Sequence, residues 1–135
     1  MRRPGLGLGA VLLAGLAVVL LPLASLLRRS WPWRVAVVGH SMEPTLRAGD
    51  WLLVDPQAYR QRRPQLGELI VVDDPRQNGS WLVKRVASIE RDGRIGLAGD
   101  HPAHWNEPLP PAEPTLVVGR PWLRYWPIGR AGRLA

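Results

Sequence analysis

Two residues of this chain have the chemical types and the settings to do covalent chemistry together. Ser41 lies in Gly39-His40-Ser41-Met42-Glu43-Pro44-Thr45-Leu46, a tight turn flanked by glycine and proline, and Lys84 lies inside the apolar run 81–89. Lys84 is the single lysine among 18 basic residues, the other 17 being arginine. An ammonium can lose its proton near neutrality, whereas a guanidinium cannot. A serine hydroxyl attacks a carbonyl when a neighbouring base takes its proton, and a neutral amine can be that base. At the reference pKa only about four lysines in ten thousand are neutral at pH 7, and a depression of about three units, about 4 kcal/mol, raises that to roughly a third. Burial among apolar side chains can supply a shift of this size. The same residues also read as a turn or helix-capping serine beside Glu43 and Thr45 and as an ordinary strand lysine.

The elements that would position the pair are strands. The runs 35–38, 51–54, 69–72, 81–89, 94–98 and part of 116–126 are short and rich in Val, Ile, Leu and Trp. Gly and Pro punctuate them, which predicts an antiparallel β domain. Within 81–89, alternation puts Leu82, Lys84, Val86 and Ser88 on one face and Val83, Arg85, Ala87 and Ile89 on the other. Lys84 and Arg85 therefore point opposite ways. Gly39 allows close backbone approach and Pro44 stiffens the turn, so main-chain N–H groups beside Ser41 could form an oxyanion hole, shaped by Gly39, His40, Met42 and Pro44. The Pro-rich stretch 107–114 is expected as a loop or an edge connection.

With 135 residues the chain has room for one domain of about 100 residues behind an apolar N-terminus. It has no cysteine, which excludes disulfides, thiolate metal sites and cysteine nucleophiles. His40, His101 and His104 make a poor zinc set because only the last two are close, so no metal is expected. A net charge of +7, spread as arginine, favours anionic partners. No run of basic residues interleaved with aromatics marks a nucleic-acid track, so lipid headgroups are the expected partner.

Pro4 to Leu27 is a 24-residue stretch without charge, long enough to cross a bilayer, which takes roughly 20 apolar residues. It is expected to be a single retained transmembrane helix; a cleaved export signal is the rival, although Pro22 and Leu23 fit a cleavage site badly. Arginines on both sides leave its orientation open. Residues 28–34 combine cations with two tryptophans and read as a juxtamembrane linker. The expected division is therefore an anchor and linker over 1–34 and a domain over 35–135.

The stretch Val38 to Leu46, followed by Gly49-Asp50-Trp51-Leu52-Leu53-Val54, resembles the nucleophile motif of the type I signal peptidase family, membrane-anchored serine/lysine endopeptidases. Pro64-Gln65-Leu66-Gly67-Glu68-Leu69-Ile70-Val71-Val72 and Val83-Lys84-Arg85-Val86 are similar to that family's next two boxes. The resemblance implies Ser41 as nucleophile, Lys84 as general base and no cofactor. It also implies a small antiparallel β-barrel-like protease domain with its cleft at the membrane surface, on the extracytoplasmic side, and a precursor protein carrying an N-terminal leader as substrate. Two departures stand out. The hydroxyl that many members carry two residues before the nucleophile is here Gly39, and the later Gly-Asp-Asn box survives only as Gly99-Asp100-His101-Pro102, without its lysine-orienting serine and its Asp/Arg pair. Ser88, on the Lys84 face, is the candidate substitute. The segment from Val83 to Ile89 and the tail from Gly119 to Pro127 are most similar to the branch that matures nickel-type superoxide dismutase. A general signal peptidase and a catalytically silent membrane-tethered binding module are the rivals; a soluble self-cleaving repressor fits less well, since the apolar span stands where a DNA-binding domain would be.

Overall fold

The computed structural model describes residues 33–104 and 109–135. The expected anchor lies outside the described residues, and among those described no helix is long and apolar enough to cross a membrane. The described strands are β1 (Trp33–Ala36), β2 (Trp51–Asp55), β3 (Leu69–Asp73), β4 (Trp81–Ile89), β5 (Ile95–Ala98), β6 (Val117–Trp126) and β7 (Gly132–Arg133). All pairings are antiparallel, in the order β1-β2-β6-β3-β4-β5 with β7 added to β6. The short Val- and Leu-rich runs become strands because β-branched and bulky side chains pack well on a pleated, half-buried surface.

β6 sits at the centre and joins two ladders. Residues 120–126 pair with β2, while Val117 and Gly119 pair with β3. Pro121 lies within this strand, opposite Val54, where the register shifts, and a bulge is where a sheet tolerates a residue without N–H. Gly119 permits the crossing: a Cβ there would come 2.6 Å from the Asp55 carbonyl oxygen. The 107–114 stretch is loop-like where described, touching the sheet through one bridge between Ala112 and Ile95 before a 3-10 turn over Pro114–Leu116.

The expected barrel-like closure does not form; the sheet is open. β1 pairs with β2 alone, and β5 covers β4 only from Arg85 to Ile89. The first half of β4, 81–84, therefore has a strand partner on its β3 side only among the described residues. What spans the gap between β1 and β4 is a side-chain contact, with the Trp33 and Trp81 rings stacked at 5.5 Å and 10°. Trp33 and Arg34, expected in the linker, thus open β1 and pair with Val54 and Leu53.

Three apolar clusters fill the interior. One joins Val37, Met42, Leu46, Leu52 and Leu69; a second joins Ile70, Val72, Val86 and Ile95; a third joins Val35, Val54 and Val71. Each fully buried aliphatic side chain among them contributes about 1.5–3 kcal/mol relative to exposure.

Candidate active site

The turn carrying Ser41 joins β1 to β2 and is held from below. Met42 and Leu46, four residues apart, are 2% and 0% exposed and anchor the turn in the first cluster, where the Leu46 N–H donates to the Met42 carbonyl at 2.8 Å. The turn's base is closed by two bonds, Gly49 N–H to the Val37 carbonyl and Val37 N–H to the Asp50 carbonyl, both 2.8 Å. Gly49 has a φ of +90°, a conformation costly for any residue with a Cβ. The Glu43–Pro44 peptide bond is cis. His40 is exposed and its Nδ1 lies 2.8 Å from Glu43 Oε1, a bond that holds the Glu43 carboxyl below the usual carboxylate range. Gly39 is exposed and faces open space, with nothing within 4 Å of where a Cβ would stand.

A second brace comes from the far end of the chain. Asp50 is 1% exposed and accepts from the Arg47 N–H at 2.9 Å, from Arg130 at 3.0 Å and from Arg124 at 3.4 Å. Arg124 also donates to the Thr45 carbonyl at 2.9 Å and to the Arg130 carbonyl. The Ser41 turn is thereby tied to β6 and to the 3-10 turn Ile128–Arg130. A buried carboxylate satisfied by two guanidiniums and a backbone donor is costly to break, because losing one partner leaves uncompensated charge in the interior.

Lys84 lies on β4 opposite Ile70 of β3 and is 3% exposed. Its strand neighbours on the same face, Leu82 and Val86, belong to the second apolar cluster, as do Ile70 and Val72 across from them. The alternation expected from sequence is therefore present. Asp74, just past β3, is the acidic group whose carboxyl responds to the Lys84 charge. Arg76 grips that carboxylate with its backbone N–H at 2.9 Å and its guanidinium at 3.1 and 3.2 Å. These bonds hold Asp74 below the usual carboxylate range.

Arg85 points the other way and ties the two halves of the site together. Its guanidinium donates to both Asp100 oxygens, at 2.7 and 2.6 Å, and to the Gly67 carbonyl at 2.6 Å. Bonds from Arg85 and from the Thr45 side chain hold the Asp100 carboxyl below its ordinary range. The next residue, His101, donates its N–H to the Ser41 carbonyl at 3.0 Å. An Asp/Arg pair is thus built from β4 and the segment after β5, and the residue that follows its acid bonds the Ser41 carbonyl.

Ser41 and Lys84 line one cleft of about 260 Å³, together with 35–39, Met42 and 81–83. A second cavity of about 450 Å³ lies on the other side of the turn, lined by Pro44, Thr45, 85–87 and 98–100. Ser88 is not gathered into the cleft. A register shift separates it from Val86, its hydroxyl lies 3.3 Å from Glu90 Oε1, and four strand residues set it about 13 Å along the strand from Lys84. Among the described residues no cluster of three acidic or histidine ligands could hold a metal.

The sequence matches the family model "Signal peptidase, peptidase S26" over residues 10–102, more than half of the chain. The chain belongs to the S26 signal peptidase family. It is also similar to the mitochondrial ATP-independent inner membrane protease subunit 1b of Arabidopsis thaliana, 27% identical over 120 residues that cover 71% of this chain and 71% of that protein. Membership of S26 makes it a serine peptidase by family, one of a group that removes leader peptides from precursors. Within the S26 match fall the turn 39–46, β4 and the Gly99–His101 segment, whereas Arg124 and Arg130 lie beyond it. Sequence reading missed the latter two because arginines are scattered along the whole chain.

Proposed function

We propose that this S26 peptidase is a membrane-anchored serine endopeptidase in which Ser41 attacks the scissile carbonyl of a precursor's leader and Lys84 is the general base. One observation carries the reading: the serine on its braced turn and the buried lysine line the same cleft, while the neighbouring arginine is turned away onto Asp100. A neutral Lys84 amine takes the Ser41 proton as Oγ adds to the carbonyl carbon. The resulting ammonium then protonates the departing amine of the mature protein, and the leader stays as an ester on Ser41. Water gives a proton to the same amine and attacks the ester, freeing the leader and restoring the serine. Main-chain N–H groups of the turn, with Gly39, His40, Met42 and Pro44 shaping it, stabilise the oxyanion. No cofactor enters any step.

The open sheet supports how a substrate would lie. β1 and the 81–84 half of β4 each present an edge to the cleft, and an extended peptide placed there gains main-chain hydrogen bonds from both. The N-terminal span would tether this domain beside the bilayer, extracytoplasmically, as in the family. Exposed Trp51, Trp126 and Ile128, with Arg34 beside the first two, have the composition of a headgroup-facing surface.

The narrower reading, removal of the leader of a nickel-type superoxide dismutase precursor, rests on the resemblance of 83–89 and 119–127 to that branch. A broader leader peptidase is the second reading, favoured by the similarity to an inner membrane protease subunit. Processing of a single co-expressed precursor against a panel of exported precursors separates them. For the chemistry itself, Ser41→Ala and Lys84→Met are each expected to abolish cleavage while the circular dichroism spectrum is retained. Wild-type turnover by either variant would defeat the assignment.

A further inference from the structure

We propose that the cavity under the β2–β3 loop, rimmed by Arg60, Arg62 and Arg63, binds the phosphate of an anionic phospholipid headgroup. This rests on the membrane-tethered reading above and needs nothing from the Ser41/Lys84 chemistry.

The cavity has a volume of about 250 Å³, and its lining joins the three arginines to Tyr59, prolines and valines, with no acid among them. Its guanidiniums are not equivalent. Arg62 is committed to Glu68, to which it donates twice at 2.9 Å, and it lies over the Tyr59 ring at 5.0 Å from the centre. Glu68 is filled in turn, since it also accepts from the Gln65 N–H at 3.0 Å and from the Tyr59 hydroxyl at 3.3 Å, and Arg120 stands 3.9 Å away. Arg60 and Arg63 are exposed and meet no carboxylate among the described residues. Two guanidiniums facing one small cavity repel each other unless an anion is shared between them.

The chemistry of the lining selects the ligand. One guanidinium engages both oxygens of a carboxylate, as Arg62 does with Glu68, whereas a phosphate has oxygens enough for two and matches the arginine fork. Tyr59, packed on the second apolar cluster, and the proline and valine walls suit the glycerol next to such a phosphate. A volume of about 250 Å³ is short of the roughly 300–1,000 Å³ of sites for drug-sized ligands, which fits a headgroup and leaves no room for an acidic peptide segment. Position then favours a lipid over a free phosphate. Leu27, the end of the expected span, precedes Trp33 by six residues, which reach at most about 20 Å. Trp33 pairs with Val54, and the loop carrying the three arginines leaves β2 just after Asp55. The chain therefore enters the domain at the end of β2 where this loop begins.

The experiment offers equal amounts of phosphatidylglycerol and phosphatidylcholine to the full-length protein in neutral detergent micelles and counts the retained lipid by native mass spectrometry. The expected result is phosphatidylglycerol retained about tenfold over phosphatidylcholine, the order of effect that two arginines supply against an anionic headgroup. That preference is lost in the Arg60→Gln/Arg63→Gln variant and kept in part by Arg60→Lys/Arg63→Lys, which has the charge without the fork. It is kept in full by Arg47→Gln/Arg133→Gln, which removes the same charge elsewhere on the domain. Equal retention of the two lipids by the wild type, a preference that survives Arg60→Gln/Arg63→Gln, or its loss in the Arg47/Arg133 variant as well overturns the site. Displacement of phosphatidylglycerol by millimolar inorganic phosphate would assign the cavity to the free ion and overturn the lipid. The tether is read separately from the membrane fraction of expressing cells: a wild-type chain found only in the soluble fraction overturns the anchor and the headgroup site together, while an anchored chain without the lipid preference overturns the site alone.

Discussion

The Ser41 turn and the Lys84 strand are held in place by different physics. The turn has almost no ladder of its own. It stays put through two buried apolar anchors, Met42 and Leu46, and through a buried carboxylate, Asp50, clamped by arginines from the other end of the chain. Lys84 is positioned by its ladder, paired with β3 and flanked by aliphatic neighbours that any Val, Ile or Leu could replace. A reactive serine needs one backbone shape, whereas a buried amine needs only an apolar wall. The first demand is met by specific residues and the second by composition.

The bracing of the turn is most vulnerable to the loss of Asp50. Asp50→Ala strips the acceptor from Arg124 and Arg130, and a loss of about 3–5 kcal/mol of folding stability is expected in urea titration. Activity should fall with it, since the Thr45 carbonyl loses its grip as Arg124 moves. Met42→Ala should cost about 2–5 kcal/mol through the cavity it leaves, and Met42→Leu much less. Val72→Ile, on the lysine side, should by contrast leave kcat within a factor of about three, because a volume change there costs about 1 kcal/mol or a little more. A tenfold fall in kcat for the Val72 variant would show that the wall around Lys84 is as shape-sensitive as the turn.

The turn can also be given a group that it lacks. Gly39 faces open space, so Gly39→Ser is sterically free and places a hydroxyl two residues before the nucleophile. Oxyanion donors are worth about 100-fold or more when fully aligned, and a retrofitted one should raise kcat about tenfold without moving KM. An unchanged kcat in a folded variant would mean that the main-chain donors already suffice.

The smallest effect concerns acid. Asp100 is held below its ordinary pKa by Arg85, so the native state binds its proton less readily than the unfolded chain does. The stability from this pair is therefore complete above about pH 4 and is lost as pH falls through the lowered native value. The pair is partly exposed, and about 1–2 kcal/mol is at stake. Asp100→Asn should flatten that part of the stability profile below pH 4 while lowering the plateau at neutral pH.

Strand positions were legible because they depend on local composition. The runs 51–54, 69–72 and 81–89 fall on β2, β3 and β4 within a residue, and the burial of Lys84 follows from simple alternation. The start of β1 was not legible, since Trp-Pro-Trp-Arg has the composition of a membrane interface and pairing with Val54 depends on a partner 21 positions on. Openness of the sheet was hidden for the same reason: whether the edges of β1 and β4 meet is decided by the whole arrangement. The Asp50 clamp joins residues 74 and 80 positions apart, and no spacing rule marks such partners. Ser88 shows the reverse failure, because strict alternation assumes an unbroken ladder and the register shift after Val86 removes that assumption.

The insertion of β6 between β2 and β3 fixes the order in which an enzyme can exist. The turn of Ser41 joins β1 to β2, Lys84 lies in the ladder of β3, β4 and β5, and 117–126 is the strand that pairs with both ladders. During synthesis the two ladders lack their common strand until that segment emerges. The pairing of serine and lysine is thereby coupled to a strand that carries neither.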